Sequence, residues 1–336
     1  MSNRFPFHAA ENHDPARSDP LTSSTNTATT FSTADPLTRQ PLGERPVYAT
    51  GMLLDAQDFL DEQTYHRGQL ARALGAVAGS GTLAGLRVQH RPETATGPEE
   101  IQVNAGLALD RLGRLIELPR PACLRVQRWW DAEAARSNLQ QADYTTPGRF
   151  ISARAQAGVE LPARAVVADV FLRFAACPRG LTPAFASGPF DALNAVGVSR
   201  LRDAYELHLV PRRNLTDTGL GLPLRAGAFT LPVDQETAEE ALAREAAMDN
   251  PAADAAARRA ALQHAVLNGY HRTADELPRG PEHTPTVDAS AVFIARVLIP
   301  VEPADPAVRR GSAVLVDNHS RRFLPGLGVL ARWTGL

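Results

Sequence analysis

The spacing of apolar residues predicts a helix that starts near residue 55 and ends at a group of glycines. Apolar positions recur there at steps of three and four residues, which is the period of an amphipathic helix. Asp55 is a good N-cap, and Asp58 lies at the positive end of the helix dipole. Gly79 and Gly81 favour the left-handed backbone of a helix end. The predicted face of this helix consists of Phe59, Gln63, His66, Leu70, Leu74 and Val77.

After this helix the period of the pattern falls to two residues, which is typical of half-buried β-strands. Leu86 and Val88 alternate with polar residues, and the segment 101–109 continues the alternation. Residues 110–113 form a predicted turn with aspartate first and glycine last, and apolar residues return at 115–118. The sequence therefore predicts a β-hairpin.

The rest of the chain predicts further strands and two helical segments. Residues 130–141 predict a short helix. Pro178 to Gly197 is rich in proline and glycine and predicts a loop of about twenty residues, a length that usually indicates function or contact. The predicted strands lie at 165–174, 201–210, 292–301 and 312–316, and a helical insertion is predicted near 234–269.

These elements predict a β-rich α+β fold, in which an N-terminal helix is followed by β-hairpins and antiparallel strands, with one helical insertion. The 336 residues suffice for one large or two medium domains with a core. The predicted regions are an extended or disordered N-terminal arm at 1–48, a helix plus β-hairpin domain at 49–126, a β-rich region with the long loop 178–197 at 127–233, the helical insertion at 234–285, and C-terminal strands with a docking tail at 286–336.

The N-terminal arm is rich in Ser, Thr, Asp and Pro and has little apolar surface, so it cannot fold alone. Two interpretations stay open for it: plain disorder in the free chain, and an extended strap laid on a neighbour. The isolated residues Phe5, Phe7 and Phe31 could anchor such a strap.

Charge and composition exclude several classes of function. The formal net charge of −2 gives no case for nucleic acid as a partner. No run of ~18 apolar residues predicts a membrane span, and the first residues lack the apolar core of a secretory signal. All 35 basic residues are arginines. Without lysine, a phosphate-binding P-loop, a pyridoxal phosphate enzyme and a protein kinase are excluded, and we expect no cofactor.

The two cysteines, Cys123 and Cys177, are each flanked by strand-like sequence. Because no secretion signal is predicted, we expect two buried free thiols, while a single bridge between them stays open. The sequence contains no CxxC pair, so a zinc ribbon is excluded.

Two groups of polar residues have the spacing of catalytic or metal-binding sites. Glu62 and His66 lie four apart on one helical face, but no HExxH motif or third ligand accompanies them, which favours a hydrogen bond or ion pair on the helix. The segment 317–319, Asp-Asn-His, lacks a DxDxDG loop, which favours turn chemistry over catalysis or calcium binding. We therefore predict no catalytic and no metal-binding residues, and a metal-dependent hydrolase is the least favoured function.

Two further groups have both a structural and a binding interpretation. Trp129 and Trp130 could stack on a sugar, but beside a β-rich core the packing interpretation is favoured. The arginine pairs at 309–310 and 321–322 suit salt bridges between subunits better than nucleic acid.

Four separated blocks of the sequence resemble a family of proteins encoded beside phage-like contractile injection systems and phage tail baseplates. The first block is GMLLDAQDFLDEQTYHR at 51–67, which is similar to the opening block of that family. The blocks occur in the order found in the family. The other three are GLRV at 85–88 with AGLALD at 105–110, VFLRFAACP at 170–178 with SRLRDAYELHLVP at 199–211, and VFIARVLIP at 292–300 with VLVDNHSRR at 314–322.

The resemblance implies a structural role in a phage tail or baseplate, for example as a fibre or spike adaptor, and it supplies no catalytic residue. We expect other tail or baseplate subunits and further copies of the chain as partners, with a homotrimer as the predicted assembly. We expect synthesis in the bacterial cytoplasm and a final location in the virion or injection particle.

The alternative function is a carbohydrate- or cell-surface-binding module at the tip of such a particle, with the tryptophan pair and the long loop lining its site. Under either hypothesis the chain works by contact, with no reaction of its own. The predicted interface residues are Phe5, Phe7, Phe31, Phe59, Tyr65, Phe185, Phe190, Trp333 and Leu336.

Overall fold

The fold is α+β and rich in β-structure, as predicted. Most of the predicted N-terminal arm and of the predicted helical insertion lie outside the described residues, although single positions between 256 and 267 have helical backbone. The computed structural model describes residues 35–38, 43–183, 196–212, 282–284, 286–302, 308–311 and 314–334, together with those single positions.

Helix α1 (Ala56–Ala78) begins and ends where the sequence predicts. The Asp55 side chain accepts hydrogen bonds from the amides of Gln57 and Asp58, and the Asp58 carboxylate accepts one from the Asp55 amide. This reciprocal pair is a capping box. At the other end Gly79 has a φ of 75°, a backbone conformation that glycine adopts without strain. Local signals therefore fix both ends of the helix.

Two small antiparallel sheets follow α1. The first has the order β1 (Gly81–Gly85), β4 (Gly106–Leu109), β5 (Leu115–Leu118), and the second has the order β2 (Val88–Arg91), β3 (Glu100–Val103), β6 (Ala122–Arg125). The predicted hairpin is confirmed in β4 and β5, where Leu109 lies opposite Leu115. The Asp110 carboxylate accepts hydrogen bonds from the amides of Leu112 and Arg114 and so closes the turn.

The predicted strand over 101–109 is two strands in different sheets. A Cβ on Gly85 would lie 2.2 Å from the Ala105 carbonyl oxygen, and a Cβ on Gly106 would lie 2.3 Å from the carbonyl oxygen that precedes Gly85. Leu86, predicted to lie in a strand, has a φ of 54°. The two backbone segments approach each other so closely at Gly85 and Gly106 that the predicted continuous strand is interrupted there.

The third sheet is antiparallel and contains the longest strands. It has the order β11 (Leu315–Asp317), β10 (Val292–Pro300), β8 (Ala165–Pro183), β7 (Asp143–Tyr144), and β9 (Val196–Pro211) also pairs with β8. Every residue of β10 and the first eight residues of β8 are buried. Near-continuous apolar runs of this kind indicate strands that are covered on both faces.

The predicted loop over 178–197 is wrong at both ends. β8 continues to Pro183 and β9 begins at Val196, and the two strands face each other as far as this pair. In this stretch β8 pairs with β9 alone among the described residues, so its prolines stand at an edge, where a missing amide is tolerated. Residues 184–195 lie outside the described part of the chain.

The remaining helical segments are short. Helix α2 (Val126–Ala135) begins earlier than the predicted 130–141, because it follows β6 without an intervening loop. Strand β11 ends at Asp317, one residue after the end of the predicted strand at 312–316. The other segments are α3 (Ala153–Gln156), α4 (Leu327–Thr334) and single 3-10 turns at Pro36–Thr38, Leu139–Ala142 and Pro147–Phe150.

The main core joins all three sheets and α2. Ile116 comes from the first sheet, Leu124 from the second and Ile294 from the third, and all three belong to one cluster of buried apolar residues. Trp129 and Trp130 of α2 belong to the same cluster. One contiguous core of this size is expected for a single domain.

Candidate interaction surface

The buried carboxylate of Asp169 binds two arginines inside the third sheet. Arg296, with a fully buried side chain, donates to it from Nε at 2.6 Å and from Nη2 at 2.9 Å, and Arg212 donates from Nη1 at 3.2 Å. Each arginine also donates to a backbone carbonyl, of Phe150 and of Glu282 respectively. All of these groups form ion pairs and hydrogen bonds within the fold, as they must, because a buried charge is tolerated only when it is paired and hydrogen-bonded.

The Asp317 and Asn318 side chains of the Asp-Asn-His segment at 317–319 join distant parts of the fold through hydrogen bonds. The Asp317 carboxylate accepts from the Ser152 amide at 2.8 Å, from the Ser152 hydroxyl and the His319 amide, and from the Ser320 hydroxyl. The Asn318 side chain accepts from the Val88 amide at 2.9 Å and donates to the Val88 carbonyl at 2.8 Å. The turn interpretation accounts for these residues, and every contact joins parts of the chain's own fold.

Three of the four paired arginines bind acceptors of their own chain, and the expectation of salt bridges between subunits stays a prediction. Arg321 is buried and donates to the carbonyl of Leu86 at 2.7 Å, and burial lowers its pKa to about 10, which leaves it charged at neutral pH. Arg322 donates to the Ser80 hydroxyl, and Arg309 binds the Glu99 carboxylate. Arginine suits this work because its planar fork satisfies several acceptors at once.

The tryptophan pair is buried, so its packing interpretation is confirmed and the sugar-stacking platform is wrong. Trp129 is 5% and Trp130 is 4% exposed, and their rings meet edge to face. The Trp129 indole donates to the Leu209 carbonyl at 2.6 Å. A buried tryptophan with a satisfied N–H is typical of a core.

Glu62 and His66 contact each other weakly on the surface of α1. The His66 Nε2 lies 4.0 Å from Glu62 Oε1, and the Tyr48 hydroxyl donates a hydrogen bond to the same carboxylate. In the described part of the chain no group of three potential ligands surrounds these or any other residues. Their arrangement is that of a helix-surface pair.

The cysteines are free thiols, as expected, but neither is buried. Cys123 is half-buried, and burial raises its pKa to about 11. Cys177 is exposed, because β8 continues past the edge of the core. The expectation of burial is therefore wrong for both residues.

A small cavity between Gly81, Phe293 and Arg322 has a volume of about 20 Å³. A space of this size holds about one water molecule, since a water needs roughly 10–15 Å³ of such volume. It offers no room for a substrate.

The predicted apolar face of α1 points away from the sheets. Phe59 is 49%, Leu70 is 62% and Val77 is 84% exposed. Gln63 and His66, between these apolar residues, are exposed as well. A surface helix of a globular protein normally buries its apolar stripe, so this outer face is unusual for a chain that works alone.

The opposite face of α1 carries small residues and lies on the turn between β4 and β5. Ala71 is the buried residue of the helix, and a Cβ on Gly113 would lie 1.8 Å from its carbonyl oxygen. Gly75 is also close to Gly113, and Gly68 lies beside the Leu37 side chain. Small residues thus allow close backbone contact on the inner face and leave the large residues outside.

A short stretch of the predicted N-terminal arm is packed on the same helix. Asp35 is buried, and its carboxylate accepts from Arg114 Nη1 at 3.0 Å and from Arg67 Nη2 at 3.4 Å. Asp35 also accepts from the Leu37 amide. Residues 35–38 are therefore laid against their own chain as a strap would be.

The second exposed surface is the outer end of the β8–β9 hairpin, residues 177–183 and 198–203, which we call the β8–β9 ribbon. All of these residues are exposed, including Leu181 at 74% and Leu201 at 56%. Arg179 lies directly opposite Arg200. Two strands without a covering layer are only marginally stable in water, so the ribbon has the character of a contact surface.

The structure describes the side chains of only part of the predicted interface set. Phe59 is half-exposed, and Tyr65 is partly buried with its ring edge-on to that of His66. The predicted set favours aromatic residues and does not include Leu53, which is 95% exposed, or the exposed leucines of the ribbon. The predicted interface residues outside the described side chains are Phe5, Phe7, Phe31, Phe185, Phe190, Trp333 and Leu336.

No protein-family model matches the chain, and comparison with curated proteins gives no match. Within the described ranges, no helix combines the length and apolar character needed to cross a membrane.

Proposed function

We propose that this protein is a structural component of a phage tail or contractile injection system baseplate and acts through interfaces between subunits. The observation that carries the proposal is the outer face of α1, where large apolar residues stand in water while the inner face is seated on the β4–β5 turn. Apolar side chains exposed along one side of a helix mark a protein–protein contact. The partners are other tail or baseplate subunits and further copies of the chain, in a homotrimer.

The polar chemistry of the described residues supports the same proposal. The Asp169 and Asp317 carboxylates each bind several donors of the fold, and Trp129 and Trp130 are core residues. Polar groups bound in this way hold a rigid scaffold. The carbohydrate-binding alternative loses the aromatic platform on which it rested.

The β8–β9 ribbon supplies a second contact surface of different character. It presents leucines together with Arg179, Arg200 and Arg202 on a narrow projection. Arg179 and Arg200 lie directly opposite each other, and like charges at such positions disfavour a strand pair. An acidic partner surface would offset that effect.

Particle fractionation tests the proposal. The chain carries an affinity tag at its chromosomal locus in the source bacterium, and tail particles are purified by sedimentation. We expect the chain to sediment with the tube and sheath proteins at a fixed ratio by quantitative mass spectrometry. Recovery of the chain only in the particle-free fraction would contradict the proposal.

Hydroxyl-radical footprinting then locates the interfaces. In the particle, Leu70 and Leu181 should be protected from oxidation relative to the free monomer. Leu115, which is 49% exposed and lies on neither surface, is the matched control. Equal oxidation of Leu70 and Leu181 in both states would remove these two surfaces from the assembly.

A further inference from the structure

The exposed positions of α1 follow the spacing of a coiled-coil seam. Steps of three and four residues alternate without interruption over three heptads, which is the pattern of helices that wind around each other. All positions of this seam are exposed. The seam consists of Ala56, Phe59, Gln63, His66, Leu70, Ala73 and Val77.

The seam lies on the side of α1 opposite its contact with the sheets. The positions that face the body are Gly68, Ala71 and Gly75, which occupy the outer positions of the same heptads. The helix has 23 residues, so it is roughly 34 Å long at ~1.5 Å per residue. The body thus contacts α1 through its small residues and leaves its whole seam exposed.

We propose that α1 packs against α1 of further copies of this chain in a parallel, in-register coiled coil. This inference rests on the proposed role as an assembled subunit and names one partner of that subunit, the chain itself. The helix contributes the same residues from every copy, as a closed symmetric assembly requires.

The charges beside the seam favour the parallel arrangement. Glu62 lies directly before the seam residue Gln63, and Arg67 lies directly after the seam residue His66. The two charges therefore flank the seam on opposite sides at a spacing of five residues. In a parallel coiled coil, residues at this spacing meet between neighbouring helices. Their side chains are 37% and 38% exposed, which leaves both able to reach a neighbour. An antiparallel pair would instead bring together residues from the same side of the seam and would lose this match.

The polar residues of the seam favour the same register. Gln63 and His66 form two adjacent layers between apolar layers at Phe59 and Leu70. When parallel helices are in register, each polar side chain meets its own copies and no apolar layer. Polar residues at such positions specify register and copy number at a cost in stability.

Sedimentation of the full chain tests the self-association. The wild-type chain should sediment as a multiple of 36.1 kDa, and the seam variant Leu70→Glu/Val77→Glu should sediment as a monomer with an unchanged circular dichroism spectrum. Leu115→Glu makes the same kind of change at an exposed leucine outside both contact surfaces and should leave the assembly intact. A monomeric wild-type chain would overturn the inference, and so would a seam variant that associates as the wild type does.

Charge reversal tests the parallel register. Glu62→Arg or Arg67→Glu alone places like charges side by side and should weaken association at least about tenfold. The double variant Glu62→Arg/Arg67→Glu restores opposite charges between chains and should recover association. It does not restore the contacts of Glu62 with Tyr48 or of Arg67 with Asp35, so recovery can come only from the contact between chains.

A double variant that associates no better than the single variants would overturn the parallel, in-register arrangement. The result is separable from the proposed function, because fractionation of particles reports on that function directly. A monomeric chain that still sediments with particles would leave the tail role standing and remove self-association through α1.

Discussion

Helix α1 and strand β10 use apolar residues in opposite ways. Every residue of β10 is buried between its neighbours, whereas α1 has more than twice as many residues and buries only Ala71. Strand β10 is held by contacts within its own chain, and its buried residues are unavailable to any partner. The helix is held by small residues on one side and keeps its large ones in water. The difference separates apolar residues that specify the fold from apolar residues that stay exposed to solvent.

The polar residues divide in the same way. Arg296 and Arg321 are among the largest fully buried side chains and bind acceptors from distant segments. Arg179 and Arg200, in contrast, face each other on the exposed ribbon. In a chain without lysine, some arginines thus join distant segments through buried hydrogen bonds and others provide surface charge. Burial of the side chain distinguishes the two uses.

The largest expected effect on the buried side of this comparison is that of Asp169→Ala. The substitution leaves Arg296 buried without its carboxylate, and breaking a buried ion pair in this way costs about 3–5 kcal/mol of unfolding free energy. Urea denaturation followed by tryptophan fluorescence measures the loss. The control is Asp131→Ala, which removes an exposed carboxylate of α2 that binds Gln127 and should cost less than about 1 kcal/mol. Equal losses in the two variants would break the distinction between buried and exposed charges.

The contact between α1 and the sheets is sensitive to Gly113→Ala. A Cβ at this position meets the Ala71 carbonyl oxygen at 1.8 Å, and Gly113 has a φ of +81°. Backbone strain and overpacking together should cost about 2–4 kcal/mol in the same urea experiment.

Gly51→Ala is the matched control for that clash. Gly51 has a φ of +85° but no atom within 4 Å of the added Cβ, so it isolates the backbone strain at about 1 kcal/mol. A Gly113→Ala variant as stable as Gly51→Ala would mean that α1 is not seated on the β4–β5 turn.

Elements with local signals could be predicted from the sequence. The capping residues Asp55 and Asp58 and the terminal Gly79 fixed helix α1, and the Asp110 turn fixed the hairpin. The break between β3 and β4 could not be predicted, because it depends on two glycines, Gly85 and Gly106, that meet only in the folded chain. The extension of β8 was missed because pairing with β9 continues where the sequence looks like a loop.

The candidate site was predictable only in part, for a related reason. The apolar face of α1 was found, but periodicity alone suggests that such a face turns inward. Its outward orientation follows from the close contact of Ala71 with Gly113, two residues without apolar bulk. The bond between Asp169 and Arg296 spans 127 positions, so no local pattern could indicate it.

Acidic pH should lower the unfolding free energy through Glu206, which lies on β9 between the core and the β8–β9 ribbon. The hydrogen bond from His208, assisted by the charge of Arg173, lowers the pKa of Glu206 to about 2. Since the pKa in the unfolded chain is about 4.3, the stabilisation is complete above that value and is lost as the pH falls towards 2.

The contribution of Glu206 should be about 1 kcal/mol after allowance for its partial exposure. Urea denaturation at pH 6 and at pH 3 measures it, with Glu206→Gln as the variant that no longer titrates. We expect a smaller loss of stability between the two pH values in Glu206→Gln than in the wild type. The same loss in both chains would assign the acid sensitivity to other carboxylates.

The smallest expected effect is that of Leu181→Ser on the ribbon. Leu181 is 74% exposed and buries little area in the free chain, so its removal should change the unfolding free energy by less than about 0.5 kcal/mol. Leu298→Ser makes the same substitution at a fully buried position of β10 and should cost at least about 3 kcal/mol, since a polar group is left inside the core. A loss above about 1 kcal/mol for Leu181→Ser would show that the ribbon is folded against its own chain, and the surface would then be unavailable to a partner. A small loss together with weaker recovery of the variant in purified particles would show that the leucine is kept for assembly, as the contrast between α1 and β10 implies.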